Sequence, residues 1–73
     1  MNHVETVDAR GLSCPQPVIL ARKALEAAGK GTVKVRVDSG TSRDNVSRMA
    51  RGLGWRVEIT QEGDEFLLTL SKE

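Results

Sequence analysis

One short stretch holds the residues with the most distinctive chemistry: Asp8-Ala9-Arg10-Gly11-Leu12-Ser13-Cys14-Pro15-Gln16-Pro17. It contains the only cysteine of the 73-residue chain and both of its prolines. A cysteine is a nucleophile when it is a thiolate, and the N-terminus of a helix favours that anion through its partial positive charge and its free N–H groups. The stretch therefore predicts a reactive thiol at Cys14, provided that a helix begins there.

The two prolines indicate such a helix start. Pro15 suits the first helical position, where a missing N–H is harmless, and Pro17 still lies in the first turn. Cys14 then becomes the N-cap, and Gln16 is the one residue of this turn whose backbone N–H can donate to the sulfur. A lone cysteine is also often an inert, buried small side chain, so position alone leaves both interpretations open.

The elements that must position the cysteine follow from apolar periodicity and from turn residues. Asp8 and Gly11 mark a turn after a first strand, and Arg10 could add positive charge beside the sulfur. Thr41 or Ser42 is expected to cap the second helix, and Gly54 to close it. The predicted strands cover residues 4–7, 32–38, 55–60 and 66–70, and the first helix covers 15–28.

The order β-α-β-α-β-β predicts an α+β fold with a single domain over residues 1–73. It is a two-layer α/β sandwich in which two helices cover one face of a four-stranded mixed sheet, with the last and most apolar strand inside it. Trp55 and Phe66 are expected in the core. The helical core positions are expected to be Val18, Ala21, Ala24, Leu25, Ala28, Val46, Met49, Ala50 and Leu53.

The net charge of +1 conceals a basic middle. Ten basic and three acidic residues lie between positions 10 and 56. This is either a solvated surface or a docking face for an acidic protein or RNA. The candidate docking residues are Arg22, Lys23, Arg43, Arg48 and Arg51.

The stretch with Cys14-Pro15-Gln16-Pro17 closely resembles the signature of the TusA/SirA/YedF family of small sulfur carriers, and residues 44–50 resemble the YedF branch more than TusA proper. The resemblance implies that Cys14 accepts sulfane sulfur as a persulfide from a cysteine desulfurase or a rhodanese-type donor. It implies relay to a downstream acceptor protein, for tRNA thiolation or for sulfur or selenium metabolism. The residues that would support the motif are Asp8, Arg10, Gly11, Pro15, Gln16 and Pro17.

No cofactor and no metal site are expected, because one cysteine and His3 are not a ligand set. We expect a cytoplasmic monomer without a membrane segment, since no run of about 18 apolar residues exists. Whether the carrier counts as a sulfurtransferase enzyme is left open. The alternative is a non-catalytic regulatory module that binds protein or RNA through its basic helices, although direct nucleic-acid binding is the less favoured contact.

Overall fold

The computed structural model describes residues 4–13 and 15–73 of the chain. The predicted element order is confirmed, and most boundaries agree within one or two residues. The elements are β1 (Val4–Asp8), α1 (Gln16–Ala28), β2 (Gly31–Val37), α2 (Gly40–Gly52), β3 (Arg56–Glu62) and β4 (Glu65–Lys72).

Within the described residues, four strands form one mixed sheet in the order β1-β2-β4-β3. β1 runs parallel to β2, whereas β4 is antiparallel to both β2 and β3. The prediction that the most apolar strand lies inside the sheet is thereby confirmed, since β4 separates β2 from β3. The carboxyl ends of β1 and β2 lie side by side, which places the β1–α1 turn beside the β2–α2 turn.

One face of the sheet is apolar and covered by the helices. Val33, Val35 and Val37 alternate along β2 and are fully buried, and Leu70 and Leu68 stand opposite the first two of them on β4. The opposite face carries mostly polar and charged side chains, with Leu67 of β4 as an apolar member. The helices contribute the buried side chains Ala21, Ala24, Leu25, Val46 and Ala50 to this core.

Four of the predicted helical core positions need correction. Leu53 is 37% exposed, because α2 ends at Gly52 and Leu53 is its C-cap instead of its last core position. Val18, Ala28 and Met49 are only half-buried at the margin of the core. Trp55 is buried as predicted, and Phe66 packs half-buried against the core.

The start of α2 also differs from the prediction. Its N-cap is Ser39 in an extended conformation, and the Ser39 hydroxyl accepts a hydrogen bond from the N–H of Ser42 at 3.1 Å. Thr41 and Ser42 therefore lie inside the helix. An N-cap residue needs an extended backbone so that its side-chain oxygen can accept from an N–H of the first helical turn. Ser39 has that backbone conformation, and it is therefore the N-cap.

The predicted end of α2 is confirmed at Gly54. Its φ of +86° is the left-handed conformation that glycine adopts without strain. The N–H of Gly54 donates to the Arg51 carbonyl, and the N–H of Trp55 donates to that of Ala50, which is the Schellman pattern. Among residues 4–13 and 15–73, no helix is long and apolar enough to cross a membrane.

Candidate functional site

The turn that follows β1 is fixed to the end of β2. Ala9 is buried, and its N–H donates to the carbonyl of Arg36 at 2.9 Å. Two residues later, the N–H of Gly11 donates to Asp38 Oδ2 at 2.8 Å. Gly11 has a φ of +75°, a backbone conformation that glycine adopts without strain. An added Cβ would meet no atom within 4 Å, so backbone conformation and not lack of space explains the glycine. Asp38, directly after β2, therefore holds the turn that leads into the Cys-Pro-Gln-Pro sequence.

Arg10 in the same turn forms ion pairs with two carboxylates. Its guanidinium donates to both oxygens of Asp8, at 2.9 Å each, and to Glu65 at 3.2 and 3.3 Å. Glu65 also accepts from Arg36 at 3.5 Å, and Arg36 donates to Glu62 at 2.5 Å. These five side chains form an ionic chain on the uncovered face of the sheet, and it ties the turn to the β3–β4 hairpin 55 residues away.

The Arg10 guanidinium has a measurable electrostatic consequence at Asp8. Its hydrogen bonds to the carboxylate hold the pKa of Asp8 at about 2, below the ordinary value of 3.8. The same contacts with Asp8 and Glu65 raise the pKa of Arg10. Arg10 is therefore engaged in ion pairs with Asp8 and Glu65.

The start of α1 lies one residue later than the prolines predicted. The N-cap is Pro15, with φ −99° and ψ 16°, so Gln16 is the first helical residue and Pro17 the second. The N–H of Gln16 donates to the carbonyl of Ser13 at 2.9 Å. The predicted N-cap at Cys14 is therefore Pro15 instead, and the N–H of Gln16 closes the preceding turn. The predicted contact between this N–H and the Cys14 sulfur lies outside the described residues.

Cys14 itself lies outside the described residues. On either side of it, Ser13, Pro15 and Gln16 are exposed, whereas Pro17 in the first turn of α1 is buried. The residues that flank the cysteine thus combine one anchored proline with an accessible turn.

The predicted docking arginines fall into three settings. Arg22 pairs with Glu26 at 3.4 Å on the exposed side of α1, and Lys23 is exposed nearby. The guanidinium of Arg43 lies 4.7 Å from the centre of the Phe66 ring and pairs with Asp44. Its positive charge is therefore engaged by groups of the same chain. This contact lowers the pKa of Asp44.

Arg48 and Arg51 are exposed on α2, where they line an open groove with Ile59 at the edge of the sheet. These two predicted docking residues therefore share one groove.

Sequence reasoning missed two features around the turn. Ile19 and Leu20 are 46% and 37% exposed in the first turns of α1, so apolar surface adjoins the cysteine motif. The sequence could have predicted this exposure, because Ile19 and Leu20 lie outside the helical stripe that contains the buried Pro17 and Ala21. The Asp38–Gly11 bond was also foreseeable, since a carboxylate ends the strand parallel to β1.

The described residues define a class of protein: a small two-layer α/β sandwich in which a glycine turn leads from β1 towards α1. The sequence at that junction is Cys-Pro-x-Pro. Comparison with known proteins identifies the family. Residues 5–72 match the model of the family described as Sulfurtransferase TusA. The chain belongs to the TusA family.

Individual relatives agree with this assignment. The Sulfur carrier protein TusA of Pseudomonas entomophila (strain L48) is 34% identical over 61 residues, which are 82% of this chain and 76% of that protein. The crystal structure of the SirA-like protein from Desulfitobacterium hafniense superposes with a TM-score of 0.86 at 39% identity, covering 94% of this chain and 96% of the other. Both the fold and the sulfur-carrier type of function predicted from the sequence are thereby confirmed.

Proposed function

We propose that Cys14 is the sulfur-carrying residue and that it holds the sulfur as a persulfide. The observation that carries this proposal is the anchored turn, in which Asp38 and Arg10 fix the backbone on the amino side of the cysteine and the buried Pro17 fixes it on the other. Family membership over nearly the whole chain adds sulfur transport as the task. Cys14 is also the only thiol in the chain.

The transfer is a thiol exchange. The Cys14 thiolate attacks the outer sulfur of a persulfide on a donor protein, a sulfur–sulfur bond forms at Cys14, and the donor cysteine leaves as a thiolate. The relay to an acceptor repeats the exchange with the roles reversed. Both steps conserve sulfur and electrons, so they need no cofactor.

We further propose that the donor docks on α1 beside the motif. Gln16, Ile19, Leu20 and Lys23 are all exposed and follow helical spacing, so they form one stripe that begins at the turn. This stripe offers apolar area with a flanking cation, and apolar side chains near a reactive group are common at protein interfaces. The donor would be a cysteine desulfurase or a rhodanese-type protein, and the acceptor a protein of a thiolation or sulfur and selenium pathway. A cytoplasmic site of action and the likeness to the YedF branch remain part of this proposal.

Intact mass spectrometry tests the role of Cys14. After incubation with a cysteine desulfurase and cysteine, the wild-type protein should gain the mass of one sulfur atom, and a reductant should remove it. The Cys14→Ser variant should gain none. A wild-type chain that gains no sulfur from any desulfurase or rhodanese tested would instead favour the interaction module on the basic helices.

Loading kinetics test the docking stripe. Leu20→Glu should raise the donor concentration needed for half-maximal loading, because it replaces apolar contact area with charge beside the motif. Leu53→Glu is the matched control, because this leucine at the C-cap of α2 is also 37% exposed and gains the same charge, and it should load like the wild type. Equal effects of the two variants would mean that the donor responds to overall charge and not to this stripe.

A further inference from the structure

The outer edge of β3 carries no neighbouring strand in the part of the chain that the structure describes, because β3 ends the sheet order. Its seven residues run without proline, and all but the half-buried Val57 are exposed. Ile59 in the middle of the strand is 43% exposed on the helix side. An exposed edge of this length is a template for strand pairing.

The β3–β4 hairpin determines which backbone groups of β3 face outward. Gly63 and Asp64 form a two-residue turn, so the flanking pair Glu62 and Glu65 exchanges both backbone hydrogen bonds. Every second residue of β3 from Glu62 back to Arg56 therefore points its N–H and C=O towards β4. The backbone groups of Val57, Ile59 and Gln61 point to the free edge.

We propose that this edge binds β3 of a second copy of the chain, antiparallel, with the two-fold axis at Ile59. In that register Ile59 faces Ile59 of the second copy, and Val57 faces Gln61 of the second copy. These are the residues with outward backbone groups, so the pairs form six interchain hydrogen bonds. Two four-stranded sheets then join into one continuous sheet.

Side-chain charge selects this register over its neighbours. With the axis at Ile59, Arg56 lies opposite Glu62 of the second copy, and the symmetric pair repeats the contact. An axis at Glu58 would oppose two Glu58 side chains, and an axis at Thr60 would oppose Glu58 to Glu62. Like charges directly opposite each other destabilise a strand pair.

Registers centred on Val57 or Gln61 shorten the ladder, because one end of each strand then extends beyond its partner. The Ile59 register is thus the one that pairs the whole strand and also matches opposite charges. Glu62 retains its contact with Arg36 of its own chain, since a carboxylate has two oxygens and accepts from more than one donor.

The ion pairs at this edge are exposed and screened by salt, so the dimer should be reversible, concentration-dependent and weaker at high ionic strength. The isoleucine pair removes apolar surface from water at the centre of the contact. This inference departs from the expected monomer, and it is independent of what Cys14 does.

Disulfide trapping tests the register. In a Cys14→Ser background, Ile59→Cys places two thiols across the axis with a Cα separation of about 5.5 Å, which suits a disulfide. Gln61→Cys is the matched control, because its counterpart lies four residues further along the strand, roughly 13 Å away. Mild oxidation should give a covalent dimer of the first variant and leave the second monomeric. Equal cross-linking of the two variants, or none of either, overturns the register.

Sedimentation velocity over a concentration series tests the charge pairing. Arg56→Glu should raise the dimer dissociation constant about tenfold or more, and the double swap Arg56→Glu with Glu62→Arg should restore part of the association. Arg22→Glu makes the same charge change on α1 and should associate like the wild type, with circular dichroism confirming that all variants are folded. A wild type that stays monomeric to millimolar concentration, or equal association of Arg56→Glu and Arg22→Glu, refutes the proposal.

Discussion

The two helices of this molecule begin in opposite ways. α2 starts at Ser39, whose hydroxyl accepts from the N–H of Ser42, and Ser42 is buried. α1 starts at Pro15, which has no side-chain group that can accept a hydrogen bond, and its first turn is exposed at Gln16. Both starts follow strands whose carboxyl ends are adjacent, so the difference is one of local sequence and not of location in the fold.

The difference shows how one fold separates stability from access. The capped start satisfies its own backbone donors and stabilises the sandwich. The proline start instead takes its rigidity from outside the helix, through Asp38 on Gly11 and Glu65 on Arg10. The first turn of α1 stays exposed at Pro15 and Gln16, as the sulfur exchange proposed for Cys14 requires.

The largest effect is expected in the core that both helices cover. Leu68→Ala should lower the free energy of unfolding by about 2–5 kcal/mol, because Leu68 is fully buried and its removal leaves a cavity. Denaturant titration measures the loss. Under conditions where the variant is folded, sulfur loading should match the wild type, and a loss of loading in proportion to stability would show that site and core are not separable.

The capped helix start should matter for stability alone. Ser39→Ala should cost about 0.5–2 kcal/mol in the free energy of unfolding, because the Ser42 N–H loses its acceptor. Ser39→Asp keeps an acceptor at the same place and should be close to neutral. If Ser39→Ala also slowed alkylation or sulfur loading of Cys14, the contrast between the two helix starts would fail.

The turn before the motif should show the reverse pattern. Asp38→Ala removes the acceptor of the Gly11 N–H and should lower the free energy of unfolding by about 0.5–1.5 kcal/mol. It should also change the rate at which iodoacetamide alkylates Cys14. The rate would be measured on folded protein at fixed pH. Asp38→Asn retains a carbonyl oxygen and should recover most of the wild-type rate. A rate unaffected by Asp38→Ala would mean that this bond does not position the motif.

The smallest effect is expected at the exposed ion pair of the turn. Because the pKa of Asp8 is lowered to about 2 in the folded protein from 3.8, its contribution is present above about pH 4 and is lost as the pH falls towards 2. The stability difference between wild type and Asp8→Asn should therefore shrink over that interval. Urea titration at each pH measures it, with Asp64→Asn in the hairpin turn as the control. A difference that stays constant from pH 5 to 2 would contradict the pairing with Arg10.

Much of the fold was predictable because the signals are local. The alternation of valines in β2 and the stripe from Val46 to Ala50 in α2 predict which faces are buried. Gly54 was a reliable helix end, because few other residues adopt its positive φ. The caps were less predictable, since Ser39, Thr41 and Ser42 all carry suitable hydroxyls and only the extended backbone of Ser39 decides between them.

The sequence by itself determined the element order, the buried faces and the position of the lone cysteine between a glycine turn and two prolines. It also determined the family to which the chain belongs. Only the tertiary structure decided that Arg10 meets Glu65, that Asp38 holds Gly11 and that Ile59 lies on a free edge. The physical reason is range. Periodicity and capping depend on neighbours within a few residues, whereas strand order and register bring together side chains whose separation in the chain carries no local signal.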